Sequence, residues 1–226
     1  QTCFDCGQRF HGPVLLALGW ACWKTYLGRP DTDSHRCEAI GLLGISLRHL
    51  RPEDALRVSE TSLALRRRYF SNYSGSIRTA QNDVANCLSD LGRLDEALVL
   101  WREIYTGWMA SDGVAHQDTI VAGLNLAISL GKLGREDEAI TLMRDQVLPA
   151  SRKSMGPDHE YTLRLNQSLA ASLSQKPDRT RDDVLEAEII MQAVVQRQRR
   201  VFGPTHQVTR NSEAALSRVR AKLART

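Results

Sequence analysis

The sequence predicts an all-α chain, a solenoid of stacked antiparallel helical hairpins. Three observations carry the prediction. Apolar residues recur at helical spacing, as in Val84, Leu88 and Leu91, and no stretch alternates apolar and polar residues as a half-buried strand would. A motif recurs in register: LRPEDALRV at 50–58, LGRLDEALVL at 91–100 and LGREDEAITL at 133–142 set Ala55, Ala97 and Ala139 42 residues apart each time. Glycines and prolines fall between the helical stretches, where turns belong.

Taken in order, the chain opens on QTCFDCGQRFH, in which Cys3 and Cys6 sit two residues apart and His11 follows. On spacing alone the pair fits half of a zinc site, a redox couple or two reduced neighbours; a structural zinc ion needs four ligands. The next segment, PVLLALGWACWKTYLG, is apolar nearly all round, which predicts a buried helix within residues 13–33. By register it stands where the second helix of a preceding hairpin would lie. Its longest apolar run is ten residues, about half of what a membrane-spanning helix needs, so no membrane span is expected.

Four hairpins are expected over residues 34–203. In the second and third, NDVANCLSDLGR and LNLAISLGKLGR align without a gap, Ala85 on Ala127 and Gly92 on Gly134. The first is degraded, with Arg51–Pro52 in place of Gly–Arg. In the fourth, QSLAASLSQ puts Ala170 43 residues after Ala127, and RDDVLEAEII puts Ala187 48 residues after Ala139, which locates a six-residue insertion around QKPDRTRD. Gly92 and Gly134 suit the left-handed conformation that closes a helix. The acids that follow, Asp95–Glu96 and Glu136–Asp137–Glu138, favour the positive end of the next helix. In that helix Ala97, Trp101, Tyr105 and Trp108 form one apolar stripe; Trp20, Trp23, Trp101 and Trp108 are expected to fill seams between helices. Such a hairpin buries one seam internally and must stack on neighbours to bury the rest.

A third element recurs as GVAHQDT, GPDHEYT and GPTHQVT, each with Gly, then His, then Thr at three-residue steps. His116, His159 and His206 occur once per repeat, about a repeat-width apart, which argues against one shared metal ion and for a linker side chain that steadies the next helix start. After the last linker, Val208, Ala215, Leu216, Val219 and Leu223 make a stripe on a single helix over residues 204–226, a first helix without its partner that caps the stack.

Composition excludes several classes. Of 226 residues, 42% are hydrophobic and 25% charged, an ordinary globular balance. Cys22, Cys37 and Cys87 lie scattered among apolar residues, so five cysteines do not read as a disulfide scaffold, and an intracellular, cytoplasmic location is the expectation. Because the first residue is Gln, any targeting signal upstream would be invisible. The net charge is +4, yet residues 196–226 carry eight Arg and Lys against one acid. That basic end is a candidate contact for an acidic partner or for RNA, although it lacks stacking aromatics. The RRR of residues 66–68 lies at a helix end, where cations offset the helix dipole. No phosphate-binding loop, Gly-x-Ser-x-Gly elbow or His-Glu-x-x-His helix is present, so no enzyme is expected.

A small residue in the first helix, Gly at the turn and acid–acid–Ala opening the second helix resemble the tetratricopeptide repeat; the 42-residue period and the GPDHEYT linker resemble its longer, kinesin-light-chain form. The resemblance covers roughly residues 34–210. It implies a right-handed superhelix and non-catalytic binding of a protein or peptide on the concave face lined by the first helices. Mapped residue by residue, that face would carry Asn82, Asn86 and Asp90, then Leu124, Asn125, Ile128 and Lys132, then Arg164, Gln167 and Gln175, with Asn82 and Asn125 the foremost peptide ligands because an amide both donates and accepts. The stretch TCFDCGQRFHG, followed by its apolar helix, resembles the end of a RING-like zinc module. By that resemblance residues 1–12 are a module remnant and Cys3 and Cys6 the last two zinc ligands, shared with residues upstream of Gln1. The resemblances imply an adaptor or scaffold; the runners-up are the substrate-binding region of a RING-type ubiquitin-ligase-like protein and a structural subunit of a large ribonucleoprotein complex.

Overall fold

The same few local devices set each hairpin. A computed structural model describes residues 12–71 and 74–224. Among them the regular elements are all helical: α1 (Gly12–Tyr26), α2 (Ser34–Leu47), α3 (Pro52–Tyr69), α4 (Ser74–Asp90), α5 (Leu94–Asp112), α6 (Gln117–Lys132), α7 (Glu136–Leu142), α8 (Leu148–Ser154), α9 (Glu160–Gln175), α10 (Arg181–Phe202) and α11 (Gln207–Leu223). No helix of the described residues is long and apolar enough to cross a membrane. The fold is all-α and built of antiparallel hairpins.

The Gly-x-x-His-x-x-Thr linkers work as helix starters. His116, His159 and His206 are the N-caps of α6, α9 and α11, and each Nδ1 accepts from the backbone N–H two residues on, at 3.3 Å. The threonines are buried; Thr162 Oγ1 donates to the Gly156 carbonyl at 2.8 Å and Thr209 Oγ1 to that of Gly203 at 2.9 Å. Gly156 and Gly203 stand at φ +92° and +86°, a region that favours glycine. His159→Ala is expected to lower stability by about 1 kcal/mol in chemical denaturation, whereas His159→Asn keeps the cap acceptor and most of the stability. An equal loss in both variants would assign the effect instead to the ring's contact with Tyr161, whose centroid lies 5.4 Å away.

A π-helical turn, Met143–Val147, joins α7 to α8, and the Leu148 N–H reaches the Met143 carbonyl. The turn explains a detail of spacing. The linker glycines Gly113 and Gly156 are 43 residues apart, while the hairpin alanines Ala97 and Ala139 are 42 apart, so one surplus residue lies between Ala139 and Gly156. A π turn absorbs a single inserted residue without breaking the helix. It also precedes Pro149, which has no N–H to contribute to a regular ladder.

The chain divides into two compact units, residues 1–100 and 101–226. In the first, α1 packs on α2, α2 on α3 and α3 on α4. Ile40, Leu43, Leu47, Leu63, Val84 and Leu88 are buried between them. Arg48 at the end of α2 donates from Nε and Nη2 to Asp90 at the end of α4, at 2.9 and 2.8 Å, so the bond spans one repeat. Arg66 reaches Ser76 Oγ on α4 at 2.5 Å and the Cys37 carbonyl on α2 at 3.4 Å; it ties three helices together, a structural use of the RRR cluster.

The expectation that the apolar segment of residues 13–33 forms a buried helix is not met. In α1 only Gly19 is buried, while Val14, Leu18 and Trp20 are exposed at 55%, 37% and 39%. The reason is geometric: α1 packs on α2 along one side, and the described residues leave its opposite face open. Trp20 therefore fills no seam. Trp23 is half-buried beneath the Arg36 guanidinium, Trp108 stacks on His116, and Trp101 is fully enclosed.

In the second unit α6, the α7–α8 helix, α9, α10 and α11 pack in succession. Trp101, Met143, Leu165, Leu173, Val184 and Met191 form its interior. Arg144 on the π turn bonds Glu186 on α10 at 2.8 Å, again one repeat on. Thr180 and Asp183 close a reciprocal capping box at the start of α10, which absorbs the inserted residues as an orderly loop.

Candidate functional site

The first helices of the repeats expose a regular ladder of positions. Aligning α4, α6 and α9 on Ala85, Ala127 and Ala170 makes Asp83, Asn125 and Ser168 equivalent, then Asn86, Ile128 and Ala171, then Asp90, Lys132 and Gln175. All nine are half-buried or exposed, as one helix face open to a ligand should be. The alignment also corrects the expected set. Asn82 and Asn125 are not equivalent: Asn82 matches Leu124 and Gln167. Leu124 is 1% exposed and belongs to the core, not to the open face. Gln167 at the same register donates to Ser212 Oγ on α11 at 2.6 Å. In α9 this register therefore points toward α11, not straight out to solvent.

In the first unit Asn82 and Asn86 are half-buried, and Asp90 is exposed and held by Arg48. Asp83, which sequence reasoning passed over, is the unusual residue of α4. Burial pushes its carboxyl up to about 6, against the opposing pull of a hydrogen bond from Asn82 and of the Arg66 and Arg48 charges.

In the second unit Lys132, Arg164 and Gln167 converge. Together with Ile128, Gln175 and one acid, Glu136 of α7, they line an open cavity of about 370 Å³ between α6 and α9. Asn125 stands on the same face of α6, outside that lining. A second cavity, about 200 Å³, lies between α9 and α11; Gln167, Ala171 and Gln175 line both, so the two adjoin. Its floor is apolar, with Met191 and Val219, and its rim carries Arg218 and Lys222. The basic C-terminal helix thus contributes to the same face as the repeat residues. The signal was in the register, since the spacing of His159 and His206 carries Ala171 onto Arg218 and Gln175 onto Lys222.

The charges on this face are poorly compensated. Arg164 and Arg218 make no ion pair or hydrogen bond among the described residues. Lys222 Nζ donates to the Ser174 carbonyl at 2.8 Å, and burial holds its ammonium below the usual lysine range, with Arg179 and Arg218 pressing the same way. The other basic residues of the C-terminal region are mostly engaged: Arg197 and Arg200 both bond Asp158 at 2.6 Å, Arg199 bonds Glu213, and Arg220 bonds Glu188.

Cys3 and Cys6, expected as zinc ligands, lie outside the described residues, as does His11.

No protein-family model matches the chain, and no curated protein matches it. Solved structures do. A putative kinesin light chain of Podosopora anserina with nearly identical TPR-like repeats superposes with a TM-score of 0.70 at 18% identity, over 87% of this chain and 90% of that one. BtubC (BKLC) from P. vanneervenii gives 0.73 at 12% identity, over 93% and 85%. A Rap protein complexed with competence and sporulation factor gives 0.59 at 15% identity, over 93% and 59%. The fold is TPR-like. At such identities the likeness fixes the arrangement of hairpins and leaves the chemistry of the exposed face to this chain's own residues.

Proposed function

We propose that this chain is a non-catalytic scaffold that binds an extended, acidic segment of a partner protein along the α6–α9–α11 face. The observation that carries the reading is the set of cations without anionic partners, Arg164, Arg218 and Lys222, above two adjoining cavities with apolar floors. An acidic side chain there relieves the crowding of Arg179, Arg218 and Lys222, and an apolar one fills the floor beside Ile128 or Val219. Asn125, Gln167 and Gln175 supply amides that donate to and accept from an extended backbone. The solved Rap complex, a similar fold carrying a bound factor, supports a binding role for such a scaffold.

Fluorescence anisotropy with a labelled decapeptide of alternating Glu and Leu tests the reading. The pair Arg164→Glu and Arg218→Glu is expected to weaken binding at least about tenfold, since reversal of a contact charge costs more than its removal. Arg210→Glu, off the two cavities, serves as the control and is expected to leave binding unchanged. Affinity untouched by the double reversal, or tighter binding of single-stranded oligouridylate than of the peptide, would sink the proposal; the latter would favour the RNA reading of the basic helix.

A further inference from the structure

Two exposed apolar side chains stand one turn apart on α10. Leu185 is 45% exposed and Ile189 60%, the most of any large apolar residue among those described. Ala193, a further turn along, is exposed too, so the three make a ridge of roughly 12 Å on one side of the helix. A single exposed apolar side chain is ordinary; a row of them beside a cavity marks a contact surface.

The cavity, about 240 Å³, lies between α8, α9 and α10, and Pro157, Ile189, Ile190 and Val194 give it an apolar wall. The repeat register explains why it is open. Counted from the linker glycines Gly113 and Gly156, Tyr105 matches Leu148 and Gly123 matches Asn166; counted from Gly156 and Gly203, Gln146 matches Ala193. In the earlier repeat the Tyr105 ring lies against Gly123, and its hydroxyl donates to Gln146 at 3.0 Å, which closes the seam. In the later repeat a leucine and an alanine take the places of that pair and cannot span the gap. Asn166 and Ala193 line the cavity that results.

The lining also holds two arginines and no carboxylate. Arg197 is paired with Asp158, which it shares with Arg200. Arg152 donates to the Asn166 amide oxygen at 2.9 Å and makes no ion pair among the described residues. The two acids that flank Ile189 in sequence, Glu186 and Glu188, are held by Arg144 and Arg220. The seam therefore sets an uncompensated cation beside an apolar wall. It shares no lining residue with the two cavities of the α6–α9–α11 face.

We infer that the α8–α10 seam is a second docking surface, for an acidic amphipathic helix of a partner protein that seats an apolar anchor in the cavity and brings a carboxylate to Arg152. A helix suits the site because the ridge of Leu185, Ile189 and Ala193 follows the four-residue row of α10, against which the apolar row of a second helix packs. A carboxylate suits it because the planar guanidinium of Arg152 has N–H groups to give and no anion to receive them.

The test titrates the isotopically labelled full chain with a peptide of about five helical turns, roughly 18 residues, with Leu at alternating steps of three and four and Glu on the flanks. The same peptide with Lys in place of Glu, and a scrambled one that breaks the Leu stripe, are the controls. Saturable amide shifts at residues 152, 157, 189–194 and 197 are expected from the Glu peptide, with an affinity about tenfold or more above that of either control. Ile189→Glu, at an exposed position, is expected to weaken that binding about tenfold without lowering the melting temperature. Arg152→Gln, the second variant, is expected to weaken it about fivefold. The pair Arg164→Glu and Arg218→Glu, on the other face, is expected to leave these shifts unchanged. No saturable shift at the seam, equal binding of either control peptide, or full affinity in either folded variant would overturn the inference.

Discussion

Gly123→Val is expected to cost about 3 kcal/mol and to lower the melting temperature by roughly 6–10 °C. Gly123 faces the π turn from the middle of α6. A β-carbon there would stand 2.7 Å from Val147 Cγ2 and 3.0 Å from the Tyr105 ring. Neither neighbour yields easily. Val147 is fully buried, and Tyr105 is pinned by its hydroxyl, which donates to Gln146 Oε1 at 3.0 Å. The helix propensity gained by replacing glycine, at most about 1 kcal/mol, is smaller than the overpacking penalty. Gly131, two turns along the same helix, provides the contrast: its added carbon would meet only Ser172 Oγ at 3.7 Å, an ordinary contact. Gly131→Ala is expected to be neutral or slightly stabilising. Val147→Ala should recover part of the loss in Gly123→Val, and a double-mutant cycle reads that coupling directly. A Gly123→Val protein that melts with the parent would show that the π turn shifts freely, and the close approach would then play no part in positioning α6.

What the sequence revealed follows from how each feature is encoded. The hairpins were legible because their determinants are local and repeated: Gly at the turn, acids after it, alanine at the tight crossing, His before each first helix. The linker histidines were correctly read as helix starters for the same reason. The π turn had left its mark as one surplus residue in a 42-residue period, but a count does not say which turn absorbs the extra residue. The exposed α1 was misread, because an apolar helix announces that it needs a partner without saying whether the described chain provides one. Leu124 was placed on the open face beside Asn125 by the mapped repeat register; one residue is 100° of helix, and only packing decides between them. The face shared by α9 and α11 was harder still. It joins residues from a repeat and from the capping helix, and nothing local in the basic stretch separates Arg218, which lines a cavity, from Arg220, which bonds Glu188. The burial of Glu136 was legible in the register, since Leu94 and Val184 stand at the same place in their repeats; that its Oε2 finds no hydrogen-bond partner was not.

Asp83→Asn is expected to stabilise the protein at neutral pH, by at most about 3 kcal/mol, and by nothing at pH 3.5. The sign follows from the direction of the shift. Burial raises the carboxyl of Asp83 from 3.8 to about 6, so the folded state prefers the protonated form. Its contribution to stability is fully present below the unfolded value and is lost as pH rises through about 6, because the unfolded chain ionises freely while the folded chain resists. Other carboxylates act in the opposite sense: Asp158, held low by Arg197 and Arg200, and Glu96, held low by Arg93, lose stability as pH falls. The stability of the parent protein alone therefore mixes the two trends, and the difference between parent and variant isolates Asp83. That difference should open between pH 4 and 6.5 and then level off. The repeat supplies the chemical reason to expect a benign substitution. Asp83 occupies the register of Asn125, and a protonated carboxyl, like an amide, both donates and accepts. Its side chain already bonds Asn82, and the surrounding Arg66 and Arg48 are engaged elsewhere, with Ser76 and Asp90. An asparagine at 83 thus keeps the hydrogen bonding of the neutral acid and removes the charge that α4 desolvates. A variant less stable than the parent at pH 7, or a difference flat from pH 4 to 7, would mean that the Arg66 and Arg48 charges outweigh burial, and that Asp83 is ionised in the folded protein.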